Sequence, residues 1–144
     1  MKKLVFAIAI FTFGMLTACN APAPANVAES AEPAAAAVEL NLPDVVDAQT
    51  AASVQDRDDV LLIDVREQWE YDEGHIPNIT LIPMNEVPAR LSEIPTDKEV
   101  IVACRSGNRS SQVVEYLRQQ GYDNVHNLQG GILAWQQAGL PVEN

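Results

Sequence analysis

The chain has little cysteine, few basic residues and little histidine, and each shortage excludes something. Two cysteines in 144 residues allow one disulfide at most, so a disulfide-stapled scaffold is excluded. Nine Lys and Arg stand against 20 Asp and Glu, a net charge of −11. A protein that neutralises the phosphates of a nucleic acid needs a basic face, so general nucleic-acid binding is excluded too. Two histidines give no cluster with metal-ligand spacing, and neither a metal nor another cofactor is expected. The apolar run over residues 4–16 is 13 residues long, short of the roughly 20 that a membrane-spanning helix needs. Apolar residues themselves are not scarce. They make up 47% of the chain against 20% charged, the balance of a folded domain rather than of disorder.

The composition averages over three unlike segments. Lys2 and Lys3 precede the apolar run and small residues follow it, the order of a secretory signal. A buried core helix is the other reading, but a Lys pair at the extreme start and the lack of an amphipathic period count against it. Leu16-Thr17-Ala18-Cys19 resembles a bacterial lipobox. That resemblance implies cleavage after residue 18, a diacylglycerol thioether on Cys19 and acylation of the new amine. A plain secretory signal with an incidental Cys is the rival. Buried acyl CH₂ groups contribute about 0.8 kcal/mol each, so several chains would hold the protein at a membrane. Asn20, not Asp, follows the Cys. In the family's sorting pattern this implies the outer membrane, with the protein in the cell envelope and facing the periplasm.

Residues 20–37 hold nine Ala and three Pro and no aromatic residue. Proline breaks any long helix, and so little bulky apolar surface cannot offset the entropy of ordering. Residues 19–41 are expected to be a tether, of which residues 20–37 reach up to about 60 Å when fully stretched; a small helical cap around residues 34–37 is the alternative.

Residues 42–144 read as one domain. The continuous apolar runs at 60–65 and 99–103 suit strands buried on both faces, and 79–83 and 125–128 read as further strands. Helices are expected at 48–55, capped by Asp47, at 66–73, 87–94 and 110–120, and at 132–138. Strands alternating with helices imply βαβ units and a mainly parallel sheet, an α/β fold.

The strand at 99–103 runs directly into Cys104-Arg105-Ser106-Gly107-Asn108-Arg109, with a helix from Ser110. Ligands of open α/β sheets bind at the carboxyl ends of strands. A Cys there faces free backbone N–H groups and a helix dipole, which favour an anion and a thiolate. Gly107 lets the backbone curl, while Arg105 and Arg109 add positive charge that can fork onto oxyanions. These parts suit a nucleophilic sulfur in a cradle for a small anion. A buried structural Cys, the plainer reading, leaves the two arginines and the glycine without a purpose.

With that loop stand Leu62-Ile63-Asp64-Val65-Arg66, Glu70, Gly74-His75-Ile76-Pro77, Ile82-Pro83, Leu117, Gly121-Tyr122 and Gly130-Gly131-Ile132-Ala134-Trp135. Over roughly 44–143 the chain resembles the single-domain rhodanese-like sulfurtransferases. The resemblance implies a central, mainly parallel sheet flanked by helices on both faces. It makes Cys104 the sulfur-accepting nucleophile and places Arg105, Ser106, Gly107, Asn108, Arg109 and Ser110 around the substrate. It implies a persulfide on Cys104 and two half-reactions, moving sulfane sulfur from a small anionic donor such as thiosulfate to cyanide, a thiol or a protein acceptor. Where the family usually has Gly-Ala after Gly-His-Ile-Pro, this chain has Asn78-Ile79. Asn tolerates left-handed backbone, so the turn is expected to survive with local repacking at Ile79.

Other roles are weighed beside this one. From Cys104 to Arg109 the spacing is Cys-x₄-Arg. The phosphatase and arsenate-reductase branch uses Cys-x₅-Arg, and the shorter ring suits a terminal sulfur better than a tetrahedral phosphate. A persulfide carrier or redox module serving one protein is the alternative from another class. A non-catalytic binding module fits the complete loop poorly. His75 is read as a turn-stabilising residue, Asp64 and Arg66 as a buried pair or loop orienter, and Trp69 and Trp135 as core or edge packing.

Overall fold

The computed structural model describes residues 40–144. The signal segment, Cys19 and residues 19–39 of the tether lie outside the described residues. Five strands form one sheet in the order β1-β5-β4-β2-β3, with every pairing parallel. The strands are β1 (Val45–Val46), β2 (Val60–Asp64), β3 (Thr80–Leu81), β4 (Glu99–Ala103) and β5 (Val125–Leu128). Between them run α1 (Ala48–Val54), α2 (Gln68–Asp72) and α3 (Asn108–Gln119), and α4 (Gly131–Gln137) follows β5.

The continuous apolar runs are strands covered on both faces. Along β2 and β4, Val60, Leu62, Ile101 and Ala103 point to one side. There they meet Ala48, Ala51 and Val54 of α1 and Ile132 and Trp135 of α4. Ile63, Val100 and Val102 point to the other side, against Val113, Val114 and Leu117 of α3. Alternate residues thus feed two hydrophobic layers, as the pleat dictates. Each fully buried Val, Leu or Ile contributes about 1.5–3 kcal/mol. Trp135 is fully buried and its indole N–H donates to Pro141 O at 2.7 Å.

The sheet has the α/β architecture read from the sequence, with five strands instead of four: β1 is only two residues long. Asp47 caps α1 as expected, accepting from the amides of Gln49 and Thr50 at 2.9 and 3.0 Å. The expected helix at 66–73 shrinks to Gln68–Asp72. Arg66 N is drawn to Asp64 Oδ1 at 3.0 Å, and Glu67 and Glu70 close a capping box that starts the helix later. The expected helix at 87–94 is replaced by two 3₁₀ turns, Val87–Ala89 and Leu91–Glu93. Pro88 removes a donor and Pro95 stops the chain, leaving i+3 bonds such as Ile94 N to Leu91 O at 3.1 Å. Trp69, expected in packing, is 61% exposed. Its neighbour Glu70 takes the buried side of α2 instead. Asn78 adopts φ 61° and Ile79 is buried, so the departure from Gly-Ala is met by a left-handed Asn.

Candidate active site

β4 is the middle strand of the sheet, and Cys104 is the first residue beyond its carboxyl end. The chain turns in residues 104–107 and enters α3. Gly107, at φ 90°, occupies the cap position, and no side chain caps the helix. The sulfur fills that place. Cys104 Sγ accepts from Gly107 N at 3.1 Å and lies 3.3 Å from Ser110 Oγ. Cys104 is 1% exposed and Ser110 is fully buried. Burial pushes the thiol up. Hydrogen bonds from the Ser110 hydroxyl and from the amides of Ser110, Ser106 and Gly107 more than reverse this, so the thiol stands below its ordinary value.

A second helix holds the loop from behind. Ile132 N and Leu133 N of α4 donate to Cys104 O and Arg105 O at 2.9 and 3.1 Å. This approach needs glycine. Gly131 has φ 56°, and a Cβ there would lie 2.1 Å from Cys104 O. A Cβ on Gly107 would meet Gly130 N at 3.1 Å. The Gly130-Gly131 pair, not singled out from the sequence for any role at the site, is therefore part of it. Its signal was two adjacent glycines directly after a strand.

The two loop arginines differ. Arg109 forms a fork with Glu70, with Nη1 to Oε2 and Nη2 to Oε1 both 2.7 Å. Arg109 holds the Glu70 carboxyl down to about 2 against burial, with help from the Glu67 amide. Arg105 is exposed and, among the described residues, is the arginine whose guanidinium makes no hydrogen bond or ion pair. The expectation of two guanidiniums turned to a ligand thus becomes one free and one held by α2. Ser106 and Asn108 are exposed beside it. A cavity of about 240 Å³ abuts the loop, with Trp69, Glu70, Glu73, Arg105, Leu133 and Gln136 in its wall.

The remaining residues have structural partners. Asp64 and Arg66 form a buried pair, Nη2 to Oδ2 2.7 Å. Arg66 also donates to Glu70 O and Gly74 O at 2.9 and 2.8 Å, which ties β2 to α2. His75 stacks on Tyr71 at 3.8 Å, and its Nδ1 lies 3.1 Å from Tyr71 O. His126 is buried between Pro43 O at 2.8 Å and Glu99 Oε2 at 2.5 Å. Among the described residues no group of three or more His, Cys, Asp or Glu is placed to hold a metal.

Cys104 is thus a buried thiol, held below its ordinary value by the Ser110 hydroxyl and helix amides, at the end of the central parallel strand of an open α/β sheet. The comparisons specify it further. Residues 47–138 match the rhodanese-like domain family, and the chain belongs to that family. It is 52% identical over 87 residues to a sulfurtransferase of Allochromatium vinosum, covering 60% of this chain and 81% of that protein. It is 31% identical over 83 residues to the thiosulfate sulfurtransferase GlpE of Pseudoalteromonas translucida, covering 58% and 79%. A rhodanese-related protein of Thermoplasma volcanium superposes with a TM-score of 0.64 at 33% identity, covering 70% of this chain and 98% of that one. A rhodanese-like domain protein of Staphylococcus aureus gives 0.62 at 32%, covering 71% and 100%.

Proposed function

We propose that the protein is a sulfurtransferase that carries sulfane sulfur as a persulfide on Cys104. The observation that carries this is the sulfur capping α3, held by Gly107 N and Ser110 Oγ in a family whose relatives are named sulfurtransferases. In the first half-reaction the Cys104 thiolate attacks the outer sulfur of an anionic donor such as thiosulfate. The S–S bond of the donor breaks and sulfite leaves with its electron pair. In the second, a thiolate or cyanide attacks the outer sulfur of the persulfide and the Cys104 thiolate departs. Atoms and electrons balance without an added oxidant.

Arg105 is the cation left free to draw the donor in. The same guanidinium, with exposed Trp69 and Leu133, borders the adjoining cavity, a place where an acceptor can approach the loop. Arg109 is bound to Glu70, which supports sulfur transfer over phosphate chemistry, because a tetrahedral phosphate would need that fork. The reading includes export as a lipoprotein through Cys19, with the domain held at the envelope.

The test is the mass of the Cys104 peptide after incubating the full chain with thiosulfate. A gain of one sulfur, removed by reductant and absent in Cys104→Ser, is expected. No gain with thiosulfate, together with rapid turnover of para-nitrophenyl phosphate, overturns the reading. Gain that passes to one protein acceptor but not to cyanide or small thiols makes the domain a carrier.

A further inference from the structure

Ser110 Oγ stands between two atoms. Cys104 Sγ is 3.3 Å away on one side, and Asn127 Oδ1 is 2.6 Å away on the other. A hydroxyl has one proton to donate, so it cannot serve both. We propose that Asn127 is a positioning residue for Cys104, acting through Ser110: its amide turns with the charge on the sulfur and directs the single hydroxyl proton.

Two arrangements satisfy the chain. With a neutral thiol, S–H donates to Ser110 Oγ and the hydroxyl donates to Asn127 Oδ1. With a thiolate, the hydroxyl must donate to Sγ. Asn127 Oδ1 would then face the lone pairs of Ser110 Oγ at 2.6 Å, a repulsive contact. Turning the amide brings Nδ2 to Ser110 Oγ, and the chain runs N–H to O–H to sulfur. Each donor polarises the next, and a bond ending on an ion is roughly twice as strong as a neutral one.

Asn127 has room to turn. It is half-buried on β5 and lines a cavity of about 510 Å³ with Ser111, Val114 and Arg118. The need for the turn recurs in each catalytic cycle, on the reading that Cys104 carries the sulfur. When the acceptor attacks the outer sulfur, the Sγ–S bond breaks and its electron pair stays on Sγ. The hydroxyl proton is then wanted at the sulfur.

Other charges around the sulfur do not use this route. Arg109 on α3 feels the Cys104 charge directly. Arg109 is paired with Glu70 of α2, and Asp64 with Arg66. Arg105 lies in the loop, and α4 presents the uncharged Gly131 and Ile132. On the cavity side Arg118 is paired with Asp44, Glu115 stands beside them, and His126 of β5 faces Pro43 O and Glu99.

The test is iodoacetamide alkylation of the full chain, followed at the Cys104 peptide from pH 5 to 9, roughly the range around a lowered thiol pKa. Asn127→Asp can only accept as a carboxylate and pins the hydroxyl proton away from sulfur. Asn127→Leu neither donates nor accepts. At pH 7 the rate is expected to fall about tenfold in Asn127→Asp and about threefold in Asn127→Leu, with the profile moving to higher pH. In a Ser110→Ala background the Leu substitution should have no further effect, and the Asp effect should shrink by at least half. An unchanged rate in both variants, or equal falls with and without Ser110, overturns the proposal, and melting curves identify a variant that has merely unfolded. Wild-type loading from thiosulfate is read in parallel: shifted alkylation without wild-type loading refutes the sulfurtransferase reading and leaves Asn127 in its role toward the thiol.

Discussion

Glu70 and Arg109 are separated by 39 positions in sequence, yet their side chains meet in two hydrogen bonds of 2.7 Å. Glu70 is nearly buried, and Arg109 is one-third exposed. The pair bolts α2 to the start of α3, beside the candidate nucleophile.

Substituting Glu70 by Gln should therefore cost stability, about 1–3 kcal/mol, measured by urea unfolding at neutral pH. The carboxyl is held at about 2 against an ordinary 4.5. A depressed pKa stabilises the folded state fully above the ordinary value, and this contribution fades as the pH falls from 4.5 towards 2. The variant should lose that part of the acid dependence; an identical stability–pH curve would show that the pair contributes nothing.

Arg105 predicts the opposite pattern. It has no partner to lose, so Arg105→Gln should leave the melting temperature within about 2 °C, as for surface substitutions. It should lower kcat/KM for thiosulfate about tenfold, the scale of one charge-assisted bond. The chain carries −11 overall, a field that slows capture of an anion and is screened by salt. Thiosulfate capture by the wild type should accordingly rise between low and moderate ionic strength. A fall over that range would show that the local cation outweighs the net field.

Two glycines with positive φ make a controlled contrast. Gly121→Ala meets nothing within 4 Å and should cost only about 1 kcal/mol for its backbone conformation. Gly131→Ala places a Cβ 2.1 Å from Cys104 O and should cost about 3 kcal/mol or more while displacing the loop. Equal costs in chemical denaturation would show that the close approach carries no weight.

Lipid anchoring gives the fourth prediction. Cys19→Ser should abolish incorporation of labelled fatty acid and stop cleavage after residue 18. Wild-type protein that takes up no lipid while still being cleaved would make the leader an ordinary secretory signal.

How far the sequence could be read depends on where each residue finds its partner. Val100 to Ala103 are buried on both faces, so an unbroken apolar run marked β4, while β5 was marked by Val125 and Leu128 on either side of two polar residues. Two-residue β1 leaves no period to detect. Val87, Leu91 and Ile94 have helical spacing, but 3₁₀ turns also bring such residues to one side, and only the flanking prolines argue against a continuous helix. The loop from Cys104 to Ser110 was legible because its amides, glycine and sulfur are consecutive. Glu70 and Asn127 were not read as site residues: their partners Arg109 and Ser110 lie 39 and 17 positions away, and spacing carries no information about such pairs.

The ties from α4 to Cys104 O and Arg105 O bear on the order in which the chain is made. Cys104 is synthesised before Gly131, Ile132 and Leu133, and before Glu143, which pairs with His75 through two 2.8 Å backbone bonds. Until Ile132 and Leu133 emerge, the Cys104 and Arg105 carbonyls lack the amides that clasp them. A truncation stopped before Gly131 should hold the loop less firmly, and its Cys104 thiol should oxidise faster than the 1%-exposed thiol of the full chain. Residues translated after the thiol are thus the ones that fix its loop in place.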